Sequence, residues 1–193
     1  MNYILDTEYL TWSNKSNWDD RFRKKWQKKE IIQVGICRVT EKNNKLIIIK
    51  KFNVYIKPKF NPIIPKRIVK LTKITQKKID KEGLPYRKGI KKVEKFFGIN
   101  PIILTNGDEK TLFKYNHKIN NLNFDKFKKY KFIDLKTYLK KQYGNMDYNT
   151  EDLPKIYSFK EKNLHNALYD CFTIIKAINS FLKSFKACSI FKF

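Results

Sequence analysis

Five side chains in three short stretches of this chain could do chemistry together. They are Asp6 and Glu8 in YILDTEY, Asp108 in ILTNGDEKTLF, and His165 with Asp170 in LHNALYDC. Carboxylates are hard oxygen donors, which select Mg²⁺ or Mn²⁺ over zinc. Four that converge can hold two such ions, and two ions ~3.5–4 Å apart suit phosphodiester hydrolysis. One ion generates hydroxide and the other steadies the leaving oxygen. Histidine titrates near neutrality and can take a proton from water. The competing reading is a basic binding protein with scattered acids.

Such a site requires particular elements beneath it. Asp6 and Glu8 stand two apart at the exit of an apolar strand, and strand side chains alternate, so both carboxylates share one face. Asp108 follows the apolar run PIILTN by two residues, and ligand sites in α/β sheets lie at the carboxyl ends of strands. A helix N-cap is the competing role for Asp108, because EKTLF after it reads as a helix start. His165 and Asp170 are five apart, a rotation of roughly 140° on a helix, so two helical side chains would diverge. Their convergence requires His165 on the loop before the helix, with Asn166 as N-cap. Asp170 then lies in an apolar helix, where a buried carboxylate is costly without a cation. His117, in the polar stretch YNHKINN, reads as an ordinary surface histidine, and Asp134 in FIDLK as a helix cap.

The remaining elements follow from periodicity. Residues 2–6 form a short strand, and EIIQVGICRV and LIIIKKFNVYIKP form two long ones about an Asn43–Asn44 turn, an antiparallel start to a sheet. A short helix is expected around Lys70 to Ile79, and another in YRKGIKKVEKFF, where Ile90, Val93, Phe96 and Phe97 recur at helical spacing. PIILTN and FIDL are further strands, each running into a helix. A short helical piece spans Leu153 to Phe159. HNALYDCFTIIKAINSFLKSF is a long helix, with Leu168, Cys171, Phe172, Ile175, Ile178, Leu182 and Phe185 on one stripe. The order predicts an α/β fold with a mixed five-stranded sheet, its first three strands antiparallel, flanked by helices.

With 193 residues and 41% hydrophobic content, one domain over 1–193 with a substantial core is expected. Residues 9–29 form an aromatic and basic insertion, with Trp12, Trp18 and Trp26 among Arg21, Arg23, Lys24 and Lys25. Aromatics interleaved with cations can stack bases and hold phosphates; packing of the insertion onto the body is the other use for them. Residues 183–193 form a tail in which Phe and Ile alternate with Lys. The 43 Lys and Arg against 18 acids, net +25, favour a polyanionic partner. The excess is nearly all Lys beside abundant Asn and Ile, a coding bias of AT-rich genomes, so charge is support rather than lead. Cys37, Cys171 and Cys188 form no CxxC pair, and the first two read as small core residues. The N-terminus lacks a signal-peptide pattern, and no apolar run reaches the ~20 residues of a membrane span. A cytoplasmic protein is expected. Monomer and dimer are both open.

DTE, a strand-borne acid in TNGDEKTLF, and HNALYD together resemble the DEDDh family of 3′→5′ exonucleases, with its DxE, middle Asp and HxAxxD. NGDEKTLF is closest to the middle motif of the Eri-like, histone-mRNA-exonuclease-type branch. LTKIT resembles the family's LTGIT segment, with Lys73 where Gly is usual. The resemblance runs from Asp6 to about Ile178 and implies an RNase H-like fold. It also implies that Asp6, Glu8, Asp108 and Asp170 hold two Mg²⁺ or Mn²⁺ ions, with His165 as general base. Residues after DxE would contact the terminal nucleotide, which points to Thr7, Tyr9 and Leu10, with Trp12 from the aromatic segment and Asn106 assisting at the middle motif. The expected substrate is single-stranded nucleic acid, RNA or DNA, shortened from its 3′ end to nucleoside 5′-monophosphates. The alternatives are a non-catalytic nucleic-acid-binding module and a protein-interaction module on the same fold.

Overall fold

The computed structural model describes residues 1–12, 25–143, 148–161 and 163–181. Trp18, Arg21, Arg23, Lys24, Cys188 and the 183–193 tail lie outside them. The strands are β1 (Asn2–Tyr9), β2 (Ile31–Lys42), β3 (Lys45–Lys57), β4 (Leu84–Pro85), β5 (Ile102–Thr105) and β6 (Lys131–Asp134). The helices are α1 (Lys66–Thr72), α2 (Gln76–Glu82), α3 (Tyr86–Phe97), α4 (Glu109–Ile119), α5 (Asp125–Lys129), α6 (Leu135–Tyr143), α7 (Leu153–Ile156) and α8 (Ala167–Phe181). A 3₁₀ turn at Thr150–Asp152 leads into α7.

Among the described residues the sheet has six strands in the order β4-β3-β2-β1-β5-β6. β1, β2 and β3 pair antiparallel, whereas β5 joins β1, and β6 joins β5, in parallel. The sixth strand corrects the expectation of five. It is the two-residue β4, which pairs Leu84 with Ile56 at the edge and is too short to carry a period. β1 also runs three residues beyond Asp6, because Thr7 and Glu8 continue the ladder against Val34 and Gln33.

Local chemistry accounts for most boundaries. Asn43 and Asn44 both take positive φ, 53° and 57°, the twist that a two-residue hairpin needs and asparagine tolerates. The single helix expected around 70–79 is two helices, α1 and α2. Lys73 stops α1 in the left-handed conformation at φ 60°, and Thr75 caps α2 by accepting the Lys78 N–H. A left-handed C-cap favours Gly, which explains why Gly is usual in the LTGIT-like segment.

Alternation along β1 divides the core. Tyr3 and Leu5 face one layer, with Val93 and Phe97 of α3 and Leu112 and Phe113 of α4. Ile4 faces the other, with Leu104 of β5 and Cys171, Ile174 and Ile178 of α8. Cys37 and Cys171 are buried free thiols, as their apolar settings suggest. His117 is not the surface histidine expected. It is 2% exposed, because α4 carries it on the same face as Phe113, and its Nδ1 sits 2.9 Å from the Tyr86 hydroxyl.

Candidate active site

The same alternation positions the first two acids. Asp6 and Glu8 follow Ile4 in phase, so they emerge on the layer occupied by α8. They meet Asp170 there, and ligand oxygens of all three lie within 4.8 Å of one another. None of the three is more than 9% exposed.

The start of α8 delivers the third acid. Gly35 pairs with Asp6 across the sheet, and a side chain there would overlap the backbone of Ala167 and Leu168. Only a glycine lets the helix enter this close. Gln33, buried inside an apolar strand, serves as the N-terminal cap of α8: its Oε1 accepts the Ala167 N–H at 3.1 Å and its Nε2 donates to Asn166 Oδ1 at 3.2 Å. Asn166 stands at the cap position foreseen, but its side chain is held by Gln33. His165 precedes the helix in the left-handed region, φ 62°, as convergence with Asp170 demands. The backbone N–H groups of His165 and Asn166 favour the charged form of the Asp170 carboxylate.

Electrostatics make the trio expensive by itself. Burial pushes Asp6 well above the usual carboxylate range, and the charges of Asp170, Glu109 and Glu8 push it further. Burial likewise raises Glu8, with Asp170 adding to it by charge and by a shared hydrogen bond. Asp170 is pushed up to about 7 by burial, against the opposing pull of its hydrogen bonds. Its Oδ1 is buried without any partner. Three hard oxygen donors, one of them orphaned, fit a divalent cation.

The other expected residues are placed variously. Asp108 caps α4, accepting the Thr111 N–H at 3.1 Å, and is exposed; it is outside the close trio. Asp134 caps the start of α6 through the Lys136 N–H and the Thr137 hydroxyl, as read from the sequence. Thr7 is buried with an unpartnered hydroxyl, and Tyr9 is half-buried. Asn106 Nδ2 donates to the Tyr148 carbonyl and to Thr150 Oγ1, tying the end of β5 to the 3₁₀ turn. Leu10, expected at the substrate, is instead wholly buried among Ile32, Ile68 and Ile79, because the chain turns inward after β1. Trp12 packs on that cluster, edge-to-face with the exposed Trp26.

Sequence reading passed over two acids at the site. Glu151 pairs with His165, Oε2 to Nε2 at 3.0 Å. Glu109 bears on the charge of Asp6 and Tyr9. The spacing of Glu109 ahead of Leu112 and Phe113 was the available signal for it, whereas Glu151 lies in a polar stretch without periodicity.

The model of the RNase T family, described as an exonuclease, matches residues 4–178. The chain belongs to this exonuclease family. No curated protein sequence matches it significantly. Among solved structures, the nuclease domain of 3′hExo, a DEDDh family member bound to rAMP, is similar with a TM-score of 0.77 at 19% identity, over 96% of this chain and 93% of that one. The 3′-exonuclease solved for 3′-end specific recognition of a histone mRNA stem-loop gives 0.76 at 17% identity, and 96% of this chain spans 64% of its length. The E. coli ExoI–ssDNA complex in its zinc-bound form gives 0.70 at 15% identity, 98% of this chain spanning 42% of it. The exonuclease domain thus has the RNase H-like fold of the DEDDh enzymes. Among the described residues no helix is long and apolar enough to cross a membrane.

Proposed function

We propose that this exonuclease removes nucleoside 5′-monophosphates from the 3′ end of single-stranded RNA or DNA, using two divalent ions, Mg²⁺ or Mn²⁺. The observation that carries the reading is the buried trio Asp6, Glu8 and Asp170, with the orphaned Oδ1 of Asp170. These residues would hold metal. Bound divalent ions supply positive charge that eases deprotonation of water and steadies the departing oxygen. His165 takes the proton of the attacking water, from a loop position fixed beside Asp170. Glu151, on the same imidazole, holds the ring in place between turnovers. Thr7, Tyr9 and Asn106 would contact the terminal nucleotide, and Trp12 with Trp26 would offer an aromatic surface to the next bases. The 3′hExo domain with rAMP and the ExoI–ssDNA complex support the substrate class by fold likeness.

The test is a time course on end-labelled single-stranded RNA and DNA in Mg²⁺, Mn²⁺ or EDTA. Mononucleotide release that requires metal is expected. His165→Ala should lower kcat by about 10²–10⁴-fold, and Asp170→Asn at least as much, with both proteins folded by circular dichroism. Full activity in either variant sinks the assignment. Binding of the strand without release by the wild type would instead favour a non-catalytic module.

A further inference from the structure

We infer that Glu109, the neighbour of the motif's aspartate, supplies the fourth carboxylate of the metal centre. The inference rests on the reading of Asp6, Glu8 and Asp170 as ligands, and goes beyond it in reassigning the middle acid.

The phase of α4 separates the two candidates. Leu112, Phe113, Asn116 and His117 are its buried residues. Glu109 stands three and four positions before Leu112 and Phe113, so it shares their inward face. Asp108 stands one residue earlier, outside the helix. Its carboxylate is exposed and engaged as the cap on Thr111.

The strand ends bring Glu109 toward the trio. β1 and β5 run parallel with Ile4 beside Leu104. Two residues further along each strand are Asp6 and Asn106, so the chain leaving β5 passes beside Asp6. The Glu109 side chain folds back over that exit: a Cβ built on Gly107 would lie 3.3 Å from its Oε1. Gly107 leaves the room in which the carboxylate lies.

Two orphaned oxygens point to a shared ligand. Glu109 Oε2 is buried without a hydrogen-bond partner, and so is Oδ1 of Asp170, a residue 5% exposed. Buried carboxylate oxygens are rarely left unpaired without an ion or water to complete them. The charge of Glu109 also helps to raise Asp6. Because Glu109 lies outside the three-residue group within 4.8 Å, it completes the centre from the β5 side.

The test uses the whole protein and Mn²⁺, with isothermal titration calorimetry and the Mn²⁺-induced rise in Tm beside the nuclease assay. Glu109→Gln should weaken binding of at least one Mn²⁺ by about tenfold or more, shrink the Tm rise and slow mononucleotide release. Gln keeps the volume and removes a buried charge, so the variant should fold, with a Tm in EDTA no lower than wild type. Asp108→Asn should keep its Mn²⁺ affinity, because Asn caps a helix as well as Asp. Retained affinity in Glu109→Gln, or its loss in Asp108→Asn, overturns the assignment to Glu109. A Glu109→Gln protein that fails to fold also counts against it, since a ligand-only role predicts a folded apo state. A wild type that binds no Mn²⁺ overturns the metal reading of the trio as well.

Discussion

At the scale of single residues, the site is a set of carboxylates held against their own preference. Asp170 makes the point with a definite sign. Its carboxyl is raised from 3.8 to about 7, so between those values the folded state holds a proton that the unfolded state has released. Linkage then makes its contribution to stability most favourable at low pH, and unfavourable as pH rises toward and past 7. Asp170→Asn cannot ionise and escapes this loss. In EDTA, the stability of Asp170→Asn relative to wild type should therefore grow between pH 5 and pH 8, by an amount on the order of 1–3 kcal/mol. Urea titrations at the two pH values check it, and an unchanged difference would show that Asp170 is not strained. Taking the difference between proteins cancels the general effect of pH on a chain of net charge +25. Mn²⁺ should reduce the difference, because the wild-type carboxylate gains a partner that the amide serves poorly.

Elements turn those residues into a site, and the decisive contact is between β2 and α8. Gly35 lies across the sheet from Asp6 and beneath the backbone of Ala167 and Leu168. An added methyl has nowhere to go, since the opposing atoms are backbone. Gly35→Ala should destabilise the fold by about 2–3 kcal/mol, as overpacking does. It should also lower kcat further than instability explains, by moving His165 and Asp170 off β1. Chemical denaturation and kcat measured well below the Tm separate the two effects; a variant with wild-type kcat would mean that α8 tolerates displacement. Much of this was legible in the sequence. The DxE spacing gave the shared face of Asp6 and Glu8, and the five-residue spacing of His165 and Asp170 required the loop that His165 occupies. Other features depend on contacts with no local signature. Gly35 reads as a weak point in a strand until α8 is laid over it. His117 looks polar by its neighbours, yet the phase of α4 buries it. β4 is two residues long and exists only because β3 offers an edge. Asp108 and Glu109 adjoin in sequence, and only the start of α4 decides which one turns inward.

The whole molecule sets charge against charge. Of 18 acids in the chain, Asp6, Glu8 and Asp170 gather at one place and Glu109 bears on the charge of Asp6, so the surface beyond them is more basic than the net +25 suggests. A strand of phosphates is drawn to that surface and repelled from the centre unless cations occupy it. Attraction and chemistry should therefore be separable by salt and by metal. Lysine abundance alone does not decide whether the field matters, because coding bias fills surfaces with lysine too. The salt dependence of binding does, since neutralised phosphates release counterions in proportion to their number, with a log–log slope of about −0.7 per phosphate for single strands. For catalytically silent Asp170→Asn, the affinity for a single-stranded oligonucleotide should fall with NaCl at a slope steeper than about −2, equivalent to three or more phosphate contacts. Fluorescence anisotropy from 50 to 200 mM NaCl measures it, a range over which counterion release weakens such binding steeply. A slope near zero would assign the lysines to surface filler and leave substrate capture to the aromatic residues beside β1.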